Sequence, residues 1–494
     1  MTASVKQKIN VVWFKRDLRL SDHEPLLAAS QDGLPVLLIY VFEPMLLADA
    51  HYDVRHWRFV WQSVKDMRQQ LKPLGGDIHV SVQSMSEALK NIQQVYVIEK
   101  IFSHQEIGLN LTYERDKHMQ KWCAKQGIEW HESPTGAVVR GLKDRSDWDK
   151  DWKKIMRAEI QDIPLKAIQW VSIADVMDDS LFNQWQQPNL HFQMGGSEQA
   201  MQTLDSFFEE RGQHYHKLIS KPEHSRTACS RMSPYLAWGN ISLREMYQQL
   251  LSHWNRPYWR RALAALSSRL HWHCHFIQKF ESECRMEFEP LNRGFDAISY
   301  RDDCDVEADL HKWKYGQTGF PLVDACMRCL HETGYINFRM RAMLVSFLCH
   351  NLRIDWRRGV KHLARMFLDF EPGIHYAQFQ MQAGLMGVNT VRIYNVNKQA
   401  KDHDPEGQFI KRWVSELSAI PDIQVHEPWL LTALEQQLYG FDIHRDYHMP
   451  CVDIQSSARE SRQLLYGWRK KPQAQAEIGR ILAQHVRVRK KIKS

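Results

Sequence analysis

The stretch Gly316-Gln-Thr-Gly-Phe-Pro-Leu-Val-Asp-Ala-Cys-Met-Arg328, followed closely by Thr333-Gly-Tyr-Ile-Asn-Phe-Arg-Met-Arg341, decides the fold of this chain. Apolar residues recur at helical spacing through Phe320–Glu332 and again through Phe338–Leu352. The same character holds in Gln408–Leu417. The region from Gly195-Gly196 onward is therefore predicted to be helical.

The segment Cys229-Ser-Arg-Met-Ser-Pro-Tyr-Leu-Ala-Trp-Gly-Asn-Ile-Ser242 precedes this stretch and opens an apolar helix. Ser230 and Ser233 stand just ahead of that helix, where hydroxyls and free backbone N–H groups make an anion site. Arg231 would add positive charge. A plain capped helix explains the same residues, so both interpretations stay open at this point.

The first 130 residues alternate between strand-like and helix-like periodicity. This alternation predicts an α/β domain with a doubly wound, Rossmann-like parallel sheet. The turn Lys15–Asp22 holds no glycine, so it is not the phosphate turn of a dehydrogenase. The predicted strands are Ile9–Phe14, Leu34–Phe42, Ile78–Val82, Val95–Ile98, Ile101–Ser103 and Ile128–His131, and the predicted helices are His56–Leu71 and Tyr113–Lys125.

Composition narrows the class of protein. The 494 residues carry a net charge of +7 and nine scattered cysteines, which form no secreted disulfide framework. No segment has the apolar length of a membrane span, so a cytoplasmic protein is expected. The basic C-terminal residues suit nucleic-acid phosphates, although such runs also occur as solvated surface. The expected divisions are an α/β domain over 1–132, a connector over 133–195, a helical domain over 196–475 and a basic tail over 476–494.

These motifs, in this order and spacing, resemble the cryptochrome/DNA photolyase family. Trp13-Phe-Lys-Arg-Asp-Leu-Arg19 is similar to that family's first strand and turn. Ile354–Gly359, Asn389–Asn395 and Asp402–Trp413 continue the similarity, which covers residues 9–130 and 200–470. The resemblance implies an α/β domain that often holds an antenna chromophore, whose identity these residues do not reveal. It also implies an all-helical domain around a U-shaped FAD.

The resemblance assigns FAD-binding roles to individual residues. The positions that match the FAD phosphates and ribityl chain are Tyr215, Ser230, Arg231, Met232 and Ser233. Tyr335, Arg341 and Asp369 match positions that line the flavin ring. A guanidinium beside the flavin would stabilise the negative charge of the reduced ring, and the carboxylate would hold the guanidinium in place.

The lesion-binding positions depart from the family pattern. Aligned on Trp272, the glutamate of enzymes that repair cyclobutane dimers is Arg269, and a neighbouring arginine is His273. The histidine pair of enzymes that repair (6-4) lesions falls at Asn337 and Ala342. A hydrogen-bond acceptor for a thymine edge and an imidazole for proton transfer are thus both missing. Arg269, Trp272 and His273 remain candidate catalytic residues for an altered pocket.

The flavin-lining positions depart as well. His375 stands where the family has Asn or Asp facing flavin N5, and it could hand on a proton as it titrates near neutral pH. Glu371 replaces a ring-side Asp and Phe338 replaces an Asn. The chain is therefore expected to be a blue-light-driven FAD protein, with His375 as a further candidate catalytic residue and Phe338, Glu371 and His375 as cofactor contacts.

The family's electron route through three tryptophans is interrupted. The middle residue is kept as Trp356, but the flavin-proximal one is Phe379 and the outer one falls near Asp303. Tyr376, Tyr335 or Trp313 could substitute, and sequence carries no distances between them. Three interpretations remain open: a DNA photolyase, a cryptochrome-type photoreceptor with a protein partner, and a flavoprotein that binds nucleic acid without repair. DNA, single- or double-stranded, is the expected partner and no metal is expected.

Overall fold

The computed structural model describes residues 6–177, 179–389 and 391–485. Within them, five parallel strands form one sheet in the order β3-β2-β1-β4-β5. Both faces of β1 are buried, as expected for a parallel sheet covered by helices on each side. The strands are β1 (Lys8–Phe14), β2 (Val36–Val41), β3 (Ile78–Ser81), β4 (Val97–His104) and β5 (Glu129–Ser133). The predicted α/β fold is confirmed, and the two strands expected over Val95–Ser103 are the single strand β4.

The helices of this domain follow local signals in the sequence. Ser84 and Glu87 form a reciprocal capping box at the start of one of them. Gly127, with φ +67°, ends another in the left-handed conformation that glycine tolerates best. The helices are α1 (Glu24–Gln31), α2 (Pro44–Leu47), α3 (Val54–Leu71), α4 (Met85–Val95) and α5 (Asn110–Gln126).

The connector crosses the edge of the sheet. It contains α6 (Trp148–Met156) and α7 (Asp179–Gln186). Two isolated bridges, Val36 to Trp170 and Ser81 to Val176, tie it to β2 and β3. Backbone hydrogen bonds fix it there, so this long segment is part of the α/β layer rather than a free linker.

The rest of the described chain is helical, as predicted. Pro321 stands in the first turn of α15 and Gly334, with φ +68°, ends it. The helices up to Thr333 are α8 (Ser197–Ser206), α9 (Tyr215–Leu218), α10 (Pro222–Ala228), α11 (Ser233–Ala237), α12 (Leu243–Ser252), α13 (Arg260–Ser282), α14 (Val306–Tyr315) and α15 (Pro321–Thr333). Those that follow are α16 (Phe338–Ser346), α17 (Trp356–Met366), α18 (Pro372–Gln382), α19 (Val396–His403), α20 (Gln408–Trp413), α21 (Ala433–Tyr439), α22 (Ile443–Asp446), α23 (Ile454–Arg469) and α24 (Pro472–His485).

The C-terminal boundary differs from the expectation. Helix α24 runs through residue 475 to His485, so ten residues assigned to a basic tail belong to the helical domain. The remainder of that predicted tail, 486–494, lies outside the described residues. Among the described helices, none is long and apolar enough to span a bilayer.

Arg16 joins the two domains next to the loop that precedes α18. Arg16, in the turn after β1, donates from Nε to the Ala237 carbonyl (3.1 Å) and from Nη2 to the Phe370 carbonyl. Its guanidinium also lies over the Trp238 ring, 4.4 Å from the centroid, and 3.4 Å from Glu371. The turn after β1 therefore positions the loop that leads into α18.

Candidate flavin site and interdomain cavity

A half-buried arginine braces the loop Thr227–Ser230 ahead of α11. Arg211 donates to the carbonyl oxygens of Thr203 (2.7 Å), Thr227 (2.9 Å) and Ser230 (2.9 Å), and also to that of Cys229. A single planar guanidinium with five N–H donors suits this convergence of carbonyls. The loop that the resemblance assigns to the FAD phosphates is therefore held from behind by the chain itself.

Arg231 in this loop lies flat against Tyr335. Its guanidinium carbon is 3.6 Å from the Tyr335 ring centroid, a close cation–π contact. Arg231 has φ +61°, in the left-handed region, and Gln193 accepts from its Nε and Nη2 at 3.1 and 2.9 Å. Gln193 also donates to the Arg231 carbonyl at 2.9 Å. The connector thus fixes both the backbone and the side chain of Arg231.

Half-buried Arg341, in the first half of α16, forms an ion pair with buried Asp369, which lies just after α17. Arg341 Nη2 donates to Asp369 Oδ2 at 2.6 Å, and its guanidinium lies 3.8 Å from the Phe367 ring centroid. Burial alone would raise the pKa of Asp369, but the Arg341 guanidinium lowers it below its ordinary value. Asp369 is therefore ionised at neutral pH, and the pair presents a cation that is fixed in direction.

A small pocket surrounds this pair. It is lined by Phe338, Arg341, Asp369, His375 and Phe379, among others, and its volume is about 40 Å³. Ligand pockets commonly measure about 300–1,000 Å³. Aromatic side chains account for the small volume, because large rings stand at the positions where the family pattern has Asn and Asp.

The polar groups of this pocket fit a flavin ring. Asp369 Oδ1 is buried and has no hydrogen-bond partner within the described residues, so a ligand N–H would satisfy it. Arg341 would face the charge of a reduced ring. The space becomes sufficient only if aromatic side chains move. Phe338 lines the pocket and is 42% exposed, so its ring borders both the pocket and solvent.

His375 is neutral in this environment. Burial lowers its pKa to about 3, and its Nε2–H donates to the Val360 carbonyl at 2.8 Å. The expectation that it titrates near neutral pH is therefore wrong for this structure. Its Nδ1 carries no proton, so it can accept a hydrogen bond from a ligand but cannot donate one.

The three residues expected around a lesion do not converge. Trp272 is 43% exposed on the outer side of α13 and packs against His275 and Phe276. Arg269 is exposed and lies beside Tyr215, whereas His273 lines a different cavity, between the domains. The helical period turns His273 about 100° away from Trp272, which is why neighbours in sequence face different surroundings.

The residues of the electron route are positioned as follows. Trp356 is fully buried, and its ring centroid is 6.3 Å from that of Phe379, which lines the small pocket around Arg341 and Asp369. Asp303 is exposed and pairs with Arg301 at 2.6 Å. Trp313 donates to the Leu344 carbonyl and Tyr335 is covered by Arg231, so both are occupied in packing.

A larger cavity of about 320 Å³ lies between the domains. The turn after β1 and the end of β4 form one wall, and Arg244, His273 and Glu371 belong to the other. The chain runs outward from β1 to β3 and then returns to β4 on the opposite side of β1. Ligands of doubly wound sheets bind at the carboxyl ends of strands where the order reverses in this way.

Asp17, His23 and His104 converge at this cavity, with ligand-type atoms all within 4.8 Å of one another. Leu26 N–H donates to His23 Nδ1 at 3.1 Å, so His23 Nε2 carries the proton and donates to Asp17 Oδ2 at 2.9 Å. His104 Nδ1 donates to the same oxygen at 2.6 Å. His23 Nε2 and His104 Nδ1 are thus both protonated and have no lone pair to offer a metal. The three residues form a hydrogen-bonded cluster rather than a cation site.

His104 Nε2 is the one atom of this cluster that is left as a hydrogen-bond acceptor beside the cavity. His104 lines it, and its Nε2 meets no hydrogen-bond partner in the described ranges. Burial lowers the pKa of His104 to about 4, so the ring is neutral and Nε2 is a free acceptor at neutral pH. Burial would raise the pKa of Asp17, but its two histidines hold it well below the ordinary value.

Sequence reasoning missed several of these residues. Arg211 acts through contacts 8 to 19 positions away, Gln193 through contacts 38 away and Arg16 through one 354 away, and no local pattern marks them. His23 and His104 were also missed, although both follow or end predicted strands of the sheet. The position of polar residues at carboxyl strand ends is the signal that could have found them.

The two domains match two family models. Residues 10–143 match the model described as DNA photolyase, and residues 265–466 match the model described as the FAD binding domain of DNA photolyase. The loop Thr227–Ser230 lies between these matches. The models together cover the parallel sheet and most of the helices around the Arg341–Asp369 pair.

Relatives and solved structures agree over nearly the whole length. A deoxyribodipyrimidine photo-lyase of Alkalihalophilus pseudofirmus is 28% identical over 93% of this chain and 98% of its own. A cryptochrome DASH of Synechocystis is 28% identical over 92% of this chain and 97% of its own. The crystal structure of a Synechocystis cryptochrome superposes with a TM-score of 0.83 at 25% identity, covering 94% of this chain and 100% of the other. The chain belongs to the cryptochrome/DNA photolyase family of FAD-binding, light-driven flavoproteins.

Proposed function

We propose that this chain acts as a cryptochrome-type photoreceptor, in which light drives flavin reduction, rather than as an efficient repair enzyme for pyrimidine dimers. The observation that carries the proposal is the separation of the lesion-site residues. Arg269 and Trp272 face outward on α13, His273 faces the interdomain cavity, and none of the three lines the flavin pocket. An electron-donating ring and a flipped base would have no shared pocket.

The chain's own groups suit one-electron reduction. A bound flavin supplies the light absorption and redox chemistry. The Arg341 cation, held by Asp369, stabilises negative charge in the pocket. Neutral His375 donates from Nε2 to the Val360 carbonyl, which leaves its Nδ1 as an acceptor beside this pair. Arg16 connects this pocket to the α/β domain through the Phe370 carbonyl, so a change of charge at the pocket can alter the contact between domains. A protein partner whose binding depends on this contact between the domains would be the signalling target.

A second function, DNA photolyase, is favoured by one surface feature. Trp272 is exposed and Arg269 lies three residues earlier on the same helix. An exposed indole stacks on a base and a nearby guanidinium binds phosphate, so this face of α13 is suited to single-stranded DNA.

Repair by pre-reduced protein tests the choice. Protein reconstituted with FAD is reduced chemically, mixed with oligonucleotides carrying cyclobutane dimers or (6-4) products, and illuminated with blue light. Pre-reduction removes any dependence on the interrupted tryptophan route. We expect flavin photoreduction in oxidised samples and no restored thymines in reduced samples. Restored thymines at a rate dependent on Arg269 or Trp272 would instead establish a photolyase.

We further propose that the interdomain cavity holds a second chromophore that acts as an antenna. Its volume of about 320 Å³ is within the range of pockets for ligands of ordinary size, about 300–1,000 Å³. The position at the strand-order reversal and the acceptor on His104 support a flat ligand with N–H donors. Glu371 lines both this cavity and the flavin pocket, which would bring the two ligands close together.

Chromophore extraction tests this site. Purified protein is denatured and its small molecules are separated and identified by absorbance. We expect a second chromophore besides FAD, which is lost from His104→Leu and kept in His118→Leu, an exposed histidine of α5. Equal chromophore content in both variants would place the second ligand elsewhere, and FAD as the sole chromophore of the native protein would contradict the proposal.

A further inference from the structure

Asp49, His51 and Tyr376 connect the α/β domain to the aromatic rings beside the flavin pocket. Tyr376 Oη is 2.7 Å from His51 Nε2, across 325 residues of sequence. His51 Nδ1 is 2.6 Å from Asp49 Oδ1. Tyr376 is fully buried and His51 nearly so. The three form a continuous hydrogen-bonded chain from the start of α18 to the loop after α2.

The chemistry of the three groups fixes the direction of both hydrogen bonds. An ionised carboxylate only accepts, so His51 Nδ1 carries the ring proton and donates to Asp49. His51 Nε2 is then the lone-pair nitrogen, and Tyr376 O–H donates to it. Hydrogen bonds from His51 lower the pKa of Asp49 against the raising effect of burial, which keeps it a carboxylate at neutral pH. The phenol therefore faces a base that is held in the correct tautomer.

Tyr376 also lies next to the interrupted electron route. Its ring centroid is 6.3 Å from Trp356 and 5.9 Å from His375, and His375 lines the flavin pocket. Phe379, at the usual proximal tryptophan position, is much harder to oxidise than tyrosine. Among the rings in contact with both Trp356 and the pocket-lining residues, Tyr376 is the oxidisable one with a proton acceptor.

Burial makes that acceptor necessary. It raises the pKa of Tyr376 far above the ordinary value, so the phenolate is absent at neutral pH. Loss of an electron from a buried phenol leaves a positive charge in a medium of low polarity unless the proton leaves as well. His51 is placed to receive it, and the imidazolium that results faces the Asp49 carboxylate.

We propose that Tyr376 is a redox-active tyrosine whose phenolic proton passes to His51 when its ring loses an electron, a step that rests on the proposed light-driven function. One electron leaves the Tyr376 ring for a photo-oxidant, which is the excited flavin or an oxidised Trp356. The O–H bond breaks and an N–H bond forms at His51 Nε2, giving a neutral tyrosyl radical and an imidazolium. A one-electron reductant from solution, such as a thiol, returns the electron, and the proton moves back to oxygen.

A neighbouring tyrosine serves as a matched control. Tyr52 is buried in the same aromatic cluster, 5.5 Å from Phe370, which itself stacks on His51. Its Oη lies 3.5 Å from Arg16 Nη1, a cation that donates and cannot accept a proton. Tyr52 thus shares the burial of Tyr376 and lacks its base.

The test replaces the flavin with an attached oxidant. In full-length protein carrying Cys304→Ser, a ruthenium polypyridyl is coupled to the exposed Cys284, whose turn packs against α18. A flash with persulfate as quencher generates the Ru(III) oxidant, and electron paramagnetic resonance detects the radicals. The variants are Tyr376→Phe, Tyr52→Phe and His51→Gln, the last keeping an acceptor that is not basic.

We expect a tyrosyl radical in the parent protein and in Tyr52→Phe, and its loss in Tyr376→Phe. In His51→Gln the radical should form about 100-fold more slowly, the effect of removing a positioned base, and the solvent deuterium effect should disappear. An equal tyrosyl signal in Tyr376→Phe, or tryptophan radicals alone in the parent, would overturn the proposal. Because the oxidant is external, a positive result together with failure of FAD photoreduction would contradict the photoreceptor function and leave the relay intact.

Discussion

Phe338 is the side chain on which access to the flavin pocket depends most directly. It follows Asn337, which caps α16 by accepting from Met340 N–H at 2.9 Å, so changing Phe338 leaves the cap in place. Phe338→Asn removes a ring from a pocket of about 40 Å³ and restores an amide. We expect FAD to bind at least about tenfold more tightly, or about 1.4 kcal/mol, in a reconstitution titration.

The control for this change is Phe288→Asn. Phe288 is exposed and lies outside the pocket lining. It should leave the dissociation constant of FAD unchanged. Equal affinities for Phe338→Asn and the parent protein would mean that Phe338 does not restrict entry.

The Arg341–Asp369 pair allows a second prediction at this scale. Arg341→Gln leaves a buried carboxylate without its cation, which typically costs about 3–5 kcal/mol. The free energy of unfolding, measured in urea without FAD, should fall by about that amount. Arg341→Gln combined with Asp369→Asn should recover a large part of the loss. A double variant as unstable as Arg341→Gln would show that the charge of Asp369 is not the cause.

At the scale of the helices, α13 and α18 pack closely against each other near the site. A Cβ on Gly373 would lie 2.7 Å from the Ile277 Cα atom, a backbone contact that no rotamer change relieves. Gly373→Ala must therefore push the helices apart, and we expect it to cost about 1–3 kcal/mol of stability. Urea denaturation measures this loss.

Gly479 is the matched control because it lies within α24, where an added Cβ meets nothing within 4 Å. Gly479→Ala should stabilise the chain by up to about 1 kcal/mol, the ordinary helical preference for alanine. A similar change in stability from both substitutions would argue against close packing at the α13–α18 crossing.

The molecule as a whole should be sensitive to mild acid because it buries many neutral histidines. Burial lowers the pKa to about 4 at His56, His104, His273 and His350. An unfolded histidine titrates near about 6.5, so the unfolded chain binds more protons than the folded chain between these values. Stability is therefore fully present above pH about 6.5 and falls as the pH drops toward about 4.

Urea midpoints across this range measure the effect, and each unit of pKa difference is worth about 1.4 kcal/mol per histidine. Buried carboxyls with a raised pKa, Glu371 and Asp324, act in the opposite sense and reduce the slope. His56→Gln should flatten the slope, and His118→Gln on the surface should not. A stability that does not change between pH about 6.5 and 4 would refute this account.

The sequence by itself determined the class of each domain and the ends of many elements. Alternating periods predicted the parallel sheet, and helical spacing over Phe320–Glu332 predicted α15 (Pro321–Thr333), because these signals act within a few residues. The family resemblance also identified the Arg341–Asp369 pair and the aromatic replacements at Phe338 and Phe379. Each of these depends on residue type at a position, which a sequence carries directly.

The tertiary structure alone decided which side chains meet. The contact between His51 and Tyr376 joins two domains across 325 residues, and Arg16 reaches the Phe370 carbonyl across 354. Trp272 and His273 are adjacent in sequence yet face solvent and an interdomain cavity. The physical reason is that the direction of a side chain and the loss of water around it depend on how whole elements pack. A short sequence pattern contains no information about elements that are distant in the chain.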